Sequence, residues 1–353
     1  MWRRIGAIIV CVCCLLGMNV VPAQSEGAWG QINQDLQRPE TWERIVVDSG
    51  FALGEGKEIT MGSGETFYDL SFGTYPSIDG STVSVPMVME FARQHLSLPE
   101  SDLQGFVFLS TTHYAYEHLI GKRPNGSAMV QSLNAAMDEN HPVDLIIVTG
   151  PSPEELALAE ENGVILVQKP VCYDAFVFIT HKDNPVDSLT VEQIQKIYTG
   201  EITNWKEVGG QDAKIAPYQR EPNSGSQTAM EGLVMQGQPM DAAEPNYVVG
   251  SMEGLVRRVG NYENSEASLG YTYLYYIDTL YKDSGIKTLA IDGIAPTEEN
   301  LRSGAYPFTT NYYGVIRGGE EEGVGGRFLD WMLSEEGQRC IAQAGYIPME
   351  PIQ

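Results

Sequence analysis

From about residue 70 onward, short apolar runs alternate with capped helical segments, and that alternation limits the folds open to this chain. Phe106 to Thr111, Val143 to Thr149, Val164 to Lys169 and Asp174 to Thr180 read as strands, most of them covered on both faces. Ile215 to Arg220, Leu269 to Ile277 and Thr309 to Arg317 complete the set. Between them lie helix signals. Ser152-Pro153-Glu154-Glu155 places Ser at the cap, Pro at the first position and Glu at the third, and Asn162-Gly163 supplies the stop. Thr190 and Gln193 form a second capping box, closed by Gly200, and a last helix is expected around Gly326 to Ala344. Strands alternating with helices predict an α/β fold with mainly parallel sheets. A length of 353 residues exceeds one average domain and suits two.

The N-terminus reads as an export signal. Arg3 and Arg4 precede an uncharged apolar run from about Ile5 to Val21, and Val21-Pro22-Ala23 offers small residues for cleavage near Ala23. The competing reading is an uncleaved membrane anchor, since the run is near the lower length for a spanning helix. Lipid anchoring has little support, because no small residue precedes Cys11, Cys13 or Cys14. Residues 24–70 are polar, carry Gly50, Gly54, Gly56, Gly62 and Gly64, and are expected to be a tether or decoration. The predicted location is outside the cytoplasm, periplasmic or at the cell surface.

Charge excludes some partners. The full chain carries 22 Lys and Arg against 47 Asp and Glu, a net charge of −25. Removing residues 1–23 takes away two arginines and no acid, which leaves 20 against 47 and a net charge of −27. So acidic a chain lacks the clustered cations that nucleic acid requires. A small anion remains admissible, because buried local donors override a distant field that salt screens. Cys172 and Cys340 are the cysteines left after cleavage, too few for a disulfide scaffold, and their pairing turns on a distance that sequence does not give.

Two segments place glycine and small hydroxyl residues just before a helix. The first is Asp79-Gly80-Ser81-Thr82-Val83-Ser84-Val85-Pro86, leading to a helix whose inner face would use Met87, Val88, Phe91 and Ala92. The second is Arg220-Glu221-Pro222-Asn223-Ser224-Gly225-Ser226-Gln227, where Ser224 and Gln227 have capping-box spacing. A helix start offers unpaired N–H groups and partial positive charge, hydroxyls add donors, and Arg220 adds a two-pronged donor that fits an oxyanion. Either segment alone is more often a plain helix cap. A third candidate, Ser110-Thr111-Thr112-His113, follows a strand end, where open α/β sheets place ligands. Enzyme signatures are missing: there is no Gly-x-Ser-x-Gly turn, and the five histidines and the cysteines lack metal-ligand spacing. No catalytic residue, metal or cofactor is predicted.

The chain also resembles the phosphate-binding substrate receptors of ABC importers, which have the type II periplasmic-binding-protein fold. The most specific likeness is Lys182-Asp183-Asn184-Pro185-Val186-Asp187-Ser188-Leu189, running on through Ile197 to Trp205. The Arg220 to Ser226 segment resembles the family's Arg-x-x-x-Ser-Gly-Thr/Ser phosphate loop, and Leu269-Gly270-Tyr271 and Gly345-Tyr346-Ile347-Pro348 have counterparts too. The likeness covers roughly residues 74 to 353. It implies an α/β protein of two lobes joined by two crossover segments, with lobe I at 71–173 plus 273–353 and lobe II at 174–272. It implies phosphate or a similar oxyanion as ligand, a membrane permease as partner, a monomeric state, and capture by cleft closure. Carried over by position, Ser81, Thr82 and the Val83 N–H come from the first loop, Thr112 from the second, and Arg220, Ser224, Gly225 and Ser226 from the third. The family's proton-accepting Asp has no counterpart here: its place reads Thr149-Gly150-Pro151-Ser152, where Thr149 would offer a hydroxyl instead. A cell-surface sensor on the same fold is the alternative function.

Overall fold

The computed structural model describes residues 58–60, 66–68, 75–96, 107, 109–121, 143–261, 267–281 and 284–351. The export signal lies outside them, as does most of the 24–70 segment. Within that segment β1 (Glu58–Thr60) pairs antiparallel with β2 (Thr66–Tyr68). Then come β3 (Ile78–Gly80), α1 (Val85–Leu96), α2 (Thr112–Ile120), β4 (Leu145–Val148) and α3 (Pro153–Glu161). The long β5 (Leu166–His181) is followed by β6 (Ser188–Leu189), α4 (Val191–Tyr198), β7 (Ala216–Pro217) and β8 (Gln219–Arg220). Next are α5 (Gly225–Ala229), β9 (Val248–Val249), α6 (Met252–Asn261), β10 (Ser268–Tyr273) and α7 (Leu274–Leu280). The chain continues through β11 (Ile286–Thr288), β12 (Ala290–Ile291), α8 (Glu298–Arg302) and β13 (Thr309–Arg317). It closes with α9 (Val324–Met332), α10 (Glu335–Gln343) and β14 (Ile347–Pro348).

Local signals account for where helices begin. Ser152 and Glu155 make both arms of their capping box, and Thr190 and Gln193 make both arms of theirs. Pro86 sits in the first turn of α1, and Met87, Val88, Phe91 and Ala92 are all buried, as the spacing predicts. Phe91 meets Phe328 and Trp331 of α9 edge-on, at centroid distances of 5.6 and 5.5 Å. Such contacts lock α1 to the C-terminal helices beyond what buried area alone supplies.

β5 ties the molecule together. Its residues Leu166 to Ala175 pair antiparallel with β13, and Phe176 to Thr180 pair antiparallel with β10. On the first side, β13 also pairs with β4, and β4 pairs parallel with β3. On the other side β10 pairs parallel with β7, and β8 with β9. The change of partner at Ala175/Phe176 is where one group of elements gives way to the other. β11 and β12, from the stretch expected in lobe I, pair with the end of β5 and with β6.

Several expectations need correction. The sheets are mixed, because β10 and β13 both run against β5, β10 along its second half and β13 along its first; only the shorter pairs are parallel. Val164–Lys169 and Asp174–Thr180 belong to one strand, since Pro170 is accommodated at a register shift against β13. The strand expected to reach Ile277 ends at Tyr273 and turns into α7. The last helix is two, broken at Leu333-Ser334, where Ser334 caps α10 by accepting the N–H of Gly337. Among Phe106–Thr111 the described residues form no strand. Cys172 and Cys340 are both buried and unpaired.

The parallel pairing of β3 with β4 depends on Gly80. A Cβ there would lie 2.4 Å from the Ile147 carbonyl oxygen and 2.9 Å from Ser84 Oγ. Gly80→Ala is expected to destabilise the protein by about 1–3 kcal/mol through overpacking. Urea unfolding measures this, and an unchanged midpoint would mean that β3 and β4 do not approach so closely.

Candidate functional site

A cleft of about 420 Å³ opens where β3, β4 and α2 face the segments before α5 and α6. Its wall comprises Ser81-Thr82, Leu109 to Tyr114, Thr149, Arg220 to Ser226, Gly250 to Glu253, Tyr273 and Tyr276. That size falls in the range of small-molecule sites. Among the described residues no group of His, Cys, Asp and Glu is placed to hold a metal ion.

Arg220 is the dominant charge in the wall. It is only 8 % exposed, and its guanidinium donates from Nε to the Val249 carbonyl at 2.8 Å and from Nη2 to the Gly250 carbonyl at 3.1 Å. Nη1 contacts Ser226 Oγ at 3.3 Å. These partners are neutral, and among the described residues Arg220 makes no ion pair. Burial lowers its pKa from the ordinary guanidinium value, yet a guanidinium stays protonated in proteins. The result is a buried positive charge with fixed orientation and no ion-pair partner among the described residues, with the Glu221 carboxylate acting on it from a distance. Its backbone is held too: the Arg220 N–H is shared by Gln227 Oε1 at 3.2 Å and the Tyr271 hydroxyl at 3.0 Å. Gln227 therefore supplies only part of the expected capping box. The Ser224 side chain accepts the Gln227 N–H, while the Gln227 amide serves Arg220.

The opposite wall is set by Asp79. Its Oδ1 accepts the N–H groups of Gly80 and Ser110, each at 2.7 Å. Its Oδ2 accepts from Ser110 Oγ and contacts His118 Nδ1, each at 2.6 Å. Asp79 is thus committed to joining β3, the 109–111 segment and α2, and its oxygens are spent on protein donors. Ser81 Oγ and Thr149 Oγ1 differ: both are buried in the wall and lack a hydrogen bond of good geometry, although Thr149 lies beside the Tyr273 hydroxyl. Buried hydroxyls in that state are costly unless a ligand or water completes them.

Gly225 brings the two walls together. A Cβ at this position would lie 2.6 Å from Thr149 Oγ1 and 2.9 Å from Thr112 Oγ1. The Tyr273 hydroxyl donates to the Gly225 carbonyl at 2.9 Å. Asn223, in the left-handed region at φ 61°, donates from Nδ2 to Glu154 Oε2 of α3 at 2.5 Å. His113 lines the cleft with Nδ1 3.1 Å from the buried Glu155 carboxylate, a hydrogen bond that raises its pKa above the ordinary imidazole value.

Ser81, Thr82, Thr112, Thr149, Arg220, Ser224, Gly225 and Ser226 therefore share one cleft. The Val83 side chain is in the core and its carbonyl accepts from the Tyr346 hydroxyl at 2.5 Å, while its N–H, the group expected to serve the ligand, lies in the helical turn Thr82–Ser84 that follows Ser81. Sequence reasoning missed Tyr273, Tyr276, Glu221 and the Gly250-Ser251-Met252-Glu253 turn. That turn carried the signal used elsewhere, glycine and a hydroxyl just before a helix, and Ser251 Oγ indeed accepts the Gly254 N–H at 3.0 Å.

A family profile described as PBP superfamily domain matches residues 123–336. The chain belongs to the PBP superfamily. Its fold is the two-lobed type II form of that superfamily, an α/β protein as the strand and helix pattern predicts. The phosphate-binding protein PstS of Bacillus subtilis is 27% identical over 250 residues, which span 64% of this chain and 79% of the relative. The protein of the same name from Borreliella burgdorferi is 30% identical over 179 residues, 50% of this chain and 63% of the relative. A Clostridium perfringens chain whose crystal structure holds bound phosphate is 25% identical, with a TM-score of 0.56 over 77% of this chain and 99% of that one. An ABC-type phosphate transport receptor from Vibrio cholerae gives 0.51 at 23% identity, over 78% and 99% of the two chains. Among the described residues of this PBP chain no helix is long and apolar enough to cross a membrane.

Two outcomes are expected. Asp79→Ala removes the acceptor shared by Gly80, Ser110 and His118 and should cost roughly 3–5 kcal/mol, as breaking a buried charged network does. Chemical unfolding checks this, and a loss under 1 kcal/mol would show that the network does not hold the wall. His113 has a raised folded pKa, so its contact with Glu155 stabilises fully at pH below the unfolded imidazole value and fades as pH rises through the folded one. His113→Gln should therefore lower the melting temperature more at pH 5.5 than at pH 8.5, and an equal loss at both would contradict the pairing.

Proposed function

We propose that the protein is an extracytoplasmic receptor that captures inorganic phosphate in this cleft and delivers it to an ABC importer. The observation that carries the reading is the buried, oriented Arg220 guanidinium, which makes no ion pair among the described residues and faces hydroxyls from the other wall. A tetrahedral oxyanion supplies the missing charge. Arg220 and Ser226 would donate from one wall, and Ser81, Thr82, Thr112 and Thr149 from the other. The relatives named phosphate-binding protein PstS, and the similar chain solved with phosphate, support phosphate as the ligand. Binding rather than turnover is the role proposed, with a membrane permease as the partner and a monomer as the working unit.

The mechanism is closure. Donors from both lobes satisfy the oxygens of one anion, so the bound ligand favours the arrangement that brings Gly225 against Thr112 and Thr149. The lobe division proposed is 71–173 plus 273–353 against 174–272, with β11 and β12 of the C-terminal stretch reaching over to pair with the second lobe and the second crossing lining the cleft at Tyr273 and Tyr276. Selectivity follows from the donor set. Asp79 has no oxygen left for a ligand proton, and Glu253 is paired with Arg257 at 2.6 Å. The hydroxyls of Ser81 and Thr149 can both donate and accept. They can take the proton of monohydrogen phosphate, and they do not repel the fully ionised sulfate as a carboxylate would.

Charge-assisted hydrogen bonds contribute about 1.5–3 kcal/mol each. Arg220→Ala should weaken phosphate binding at least tenfold, at about 1.4 kcal/mol per decade. Calorimetry on the mature protein tests this, and unchanged affinity would remove Arg220 from the site. On the same instrument, sulfate is expected within about a hundredfold of phosphate; a sulfate signal absent at millimolar concentration would mean that a carboxylate takes the ligand proton after all.

A further inference from the structure

The crossing between the two halves contains a buried acid that the binding site does not use. Asp174 lies in β5 one residue before that strand exchanges β13 for β10 as its partner. Its Oδ1 accepts the N–H of Ala175 at 2.7 Å and the N–H of Tyr275 at 3.1 Å. Tyr275 belongs to the other crossing segment, in the first turn of α7 after β10. One carboxylate oxygen therefore pins both crossings to each other. The same short segment reaches the cleft, because the Tyr273 hydroxyl holds the Gly225 carbonyl. Asp174 is thereby connected, through Tyr275 and Tyr273, to the turn that carries Ser224 and Ser226.

The second oxygen is unsettled. Asp174 Oδ2 and the Tyr312 hydroxyl are both buried and face each other, yet neither completes a hydrogen bond of good geometry in this conformation. The groups around the acid are Cys172 from its own strand, Tyr273 from β10, Tyr312 from β13, Tyr346 before β14 and Asp278 from α7. None is a cation, and among the described residues Asp174 makes no ion pair. A buried carboxylate in such company favours its neutral form.

We propose that Asp174 is a proton-operated pivot: protonated, it favours the arrangement with the lobes drawn together, and ionised, it favours their separation. The present arrangement has the lobes in contact through Gly225 and Asn223, and here Asp174 is 2 % exposed. Burial pushes its carboxyl up to about 7. The group binds a proton more tightly here than in a hydrated state, so the closed arrangement is favoured below that pH and loses this advantage as pH rises through it. In the separated arrangement, water or the Tyr312 hydroxyl would reach Oδ2. The proposal rests on the two-lobed closure described above and not on which anion binds.

Small-angle scattering on the ligand-free full chain between pH 5.5 and 8.5 tests it, because that readout needs no ligand. The radius of gyration should rise across this range in the wild type. In Asp174→Asn, whose amide oxygen still accepts from Ala175 and Tyr275, it should stay at the compact value. Tyr312→Phe removes the hydroxyl facing Oδ2 and should move the wild-type transition to higher pH. His113 titrates in both proteins, so the difference between wild type and Asp174→Asn isolates the pivot. Identical pH curves for wild type and Asp174→Asn would overturn the proposal. So would a wild-type radius that does not change with pH, or, should Asp174→Asn not fold, an unshifted transition in Tyr312→Phe. Failure of phosphate to bind in calorimetry, with the scattering transition intact, would count against the ligand and leave the pivot standing.

Discussion

A buried guanidinium with no ion-pair partner among the described residues is the constraint around which the rest of this molecule is arranged. Moving a cation out of water is costly, and the usual remedy is an acid beside it. Arg220 has instead two backbone carbonyls and a serine, which fix its direction without cancelling its charge. The elements nearby serve that arrangement. Gln227 and Tyr271 hold its backbone N–H, β9 presents the Val249 carbonyl, and α5 begins where Ser226 can reach it. In a chain with a net charge of −25, Arg220 is the one lysine or arginine among the cleft's lining residues. Local geometry overrides the global field over the few ångströms that matter, because more distant charges are screened.

The two walls meet through small groups rather than through large interdigitating ones. Gly225 packs against two threonine hydroxyls, and Tyr273 holds Gly225 from the side of the crossing. This suits a joint that must open, since few apolar contacts are broken when the walls part. The apolar mass lies elsewhere, in the aromatic cluster of Phe176, Phe178, Tyr198 and Tyr271 in one lobe and in α1 against α9 in the other. Each half keeps its own apolar interior, and the two are joined by β5 and the 273–275 segment.

What was legible in the sequence was local. The caps of α3 and α4, the buried face of α1 and the hydroxyl-rich turn after Arg220 depend on residues a few positions apart, and the structure has each in place. Partner choice was not legible. Nothing within Val164–Thr180 says that one strand will serve two sheets, because that is decided by β10 and β13, about a hundred residues downstream. The role of Asp79 was hidden for the same reason: its partners Ser110 and His118 are 31 and 39 residues away in sequence. Ser251 could have been found, since it repeats the pattern of Ser224; Tyr273 could not, since it looks like one more apolar strand residue.

Whether the cleft is an oxyanion site is most directly decided by where a heavy tetrahedral anion settles. Arsenate has the charge and shape of phosphate, and its arsenic scatters anomalously. In crystals of the mature protein grown with arsenate, a single strong arsenic peak is expected among Arg220, Ser226, Ser81 and Thr149, within hydrogen-bonding reach of donors from both walls. A cleft without arsenic at saturating arsenate, or a peak confined to surface lysines, would show that the buried guanidinium serves some other purpose.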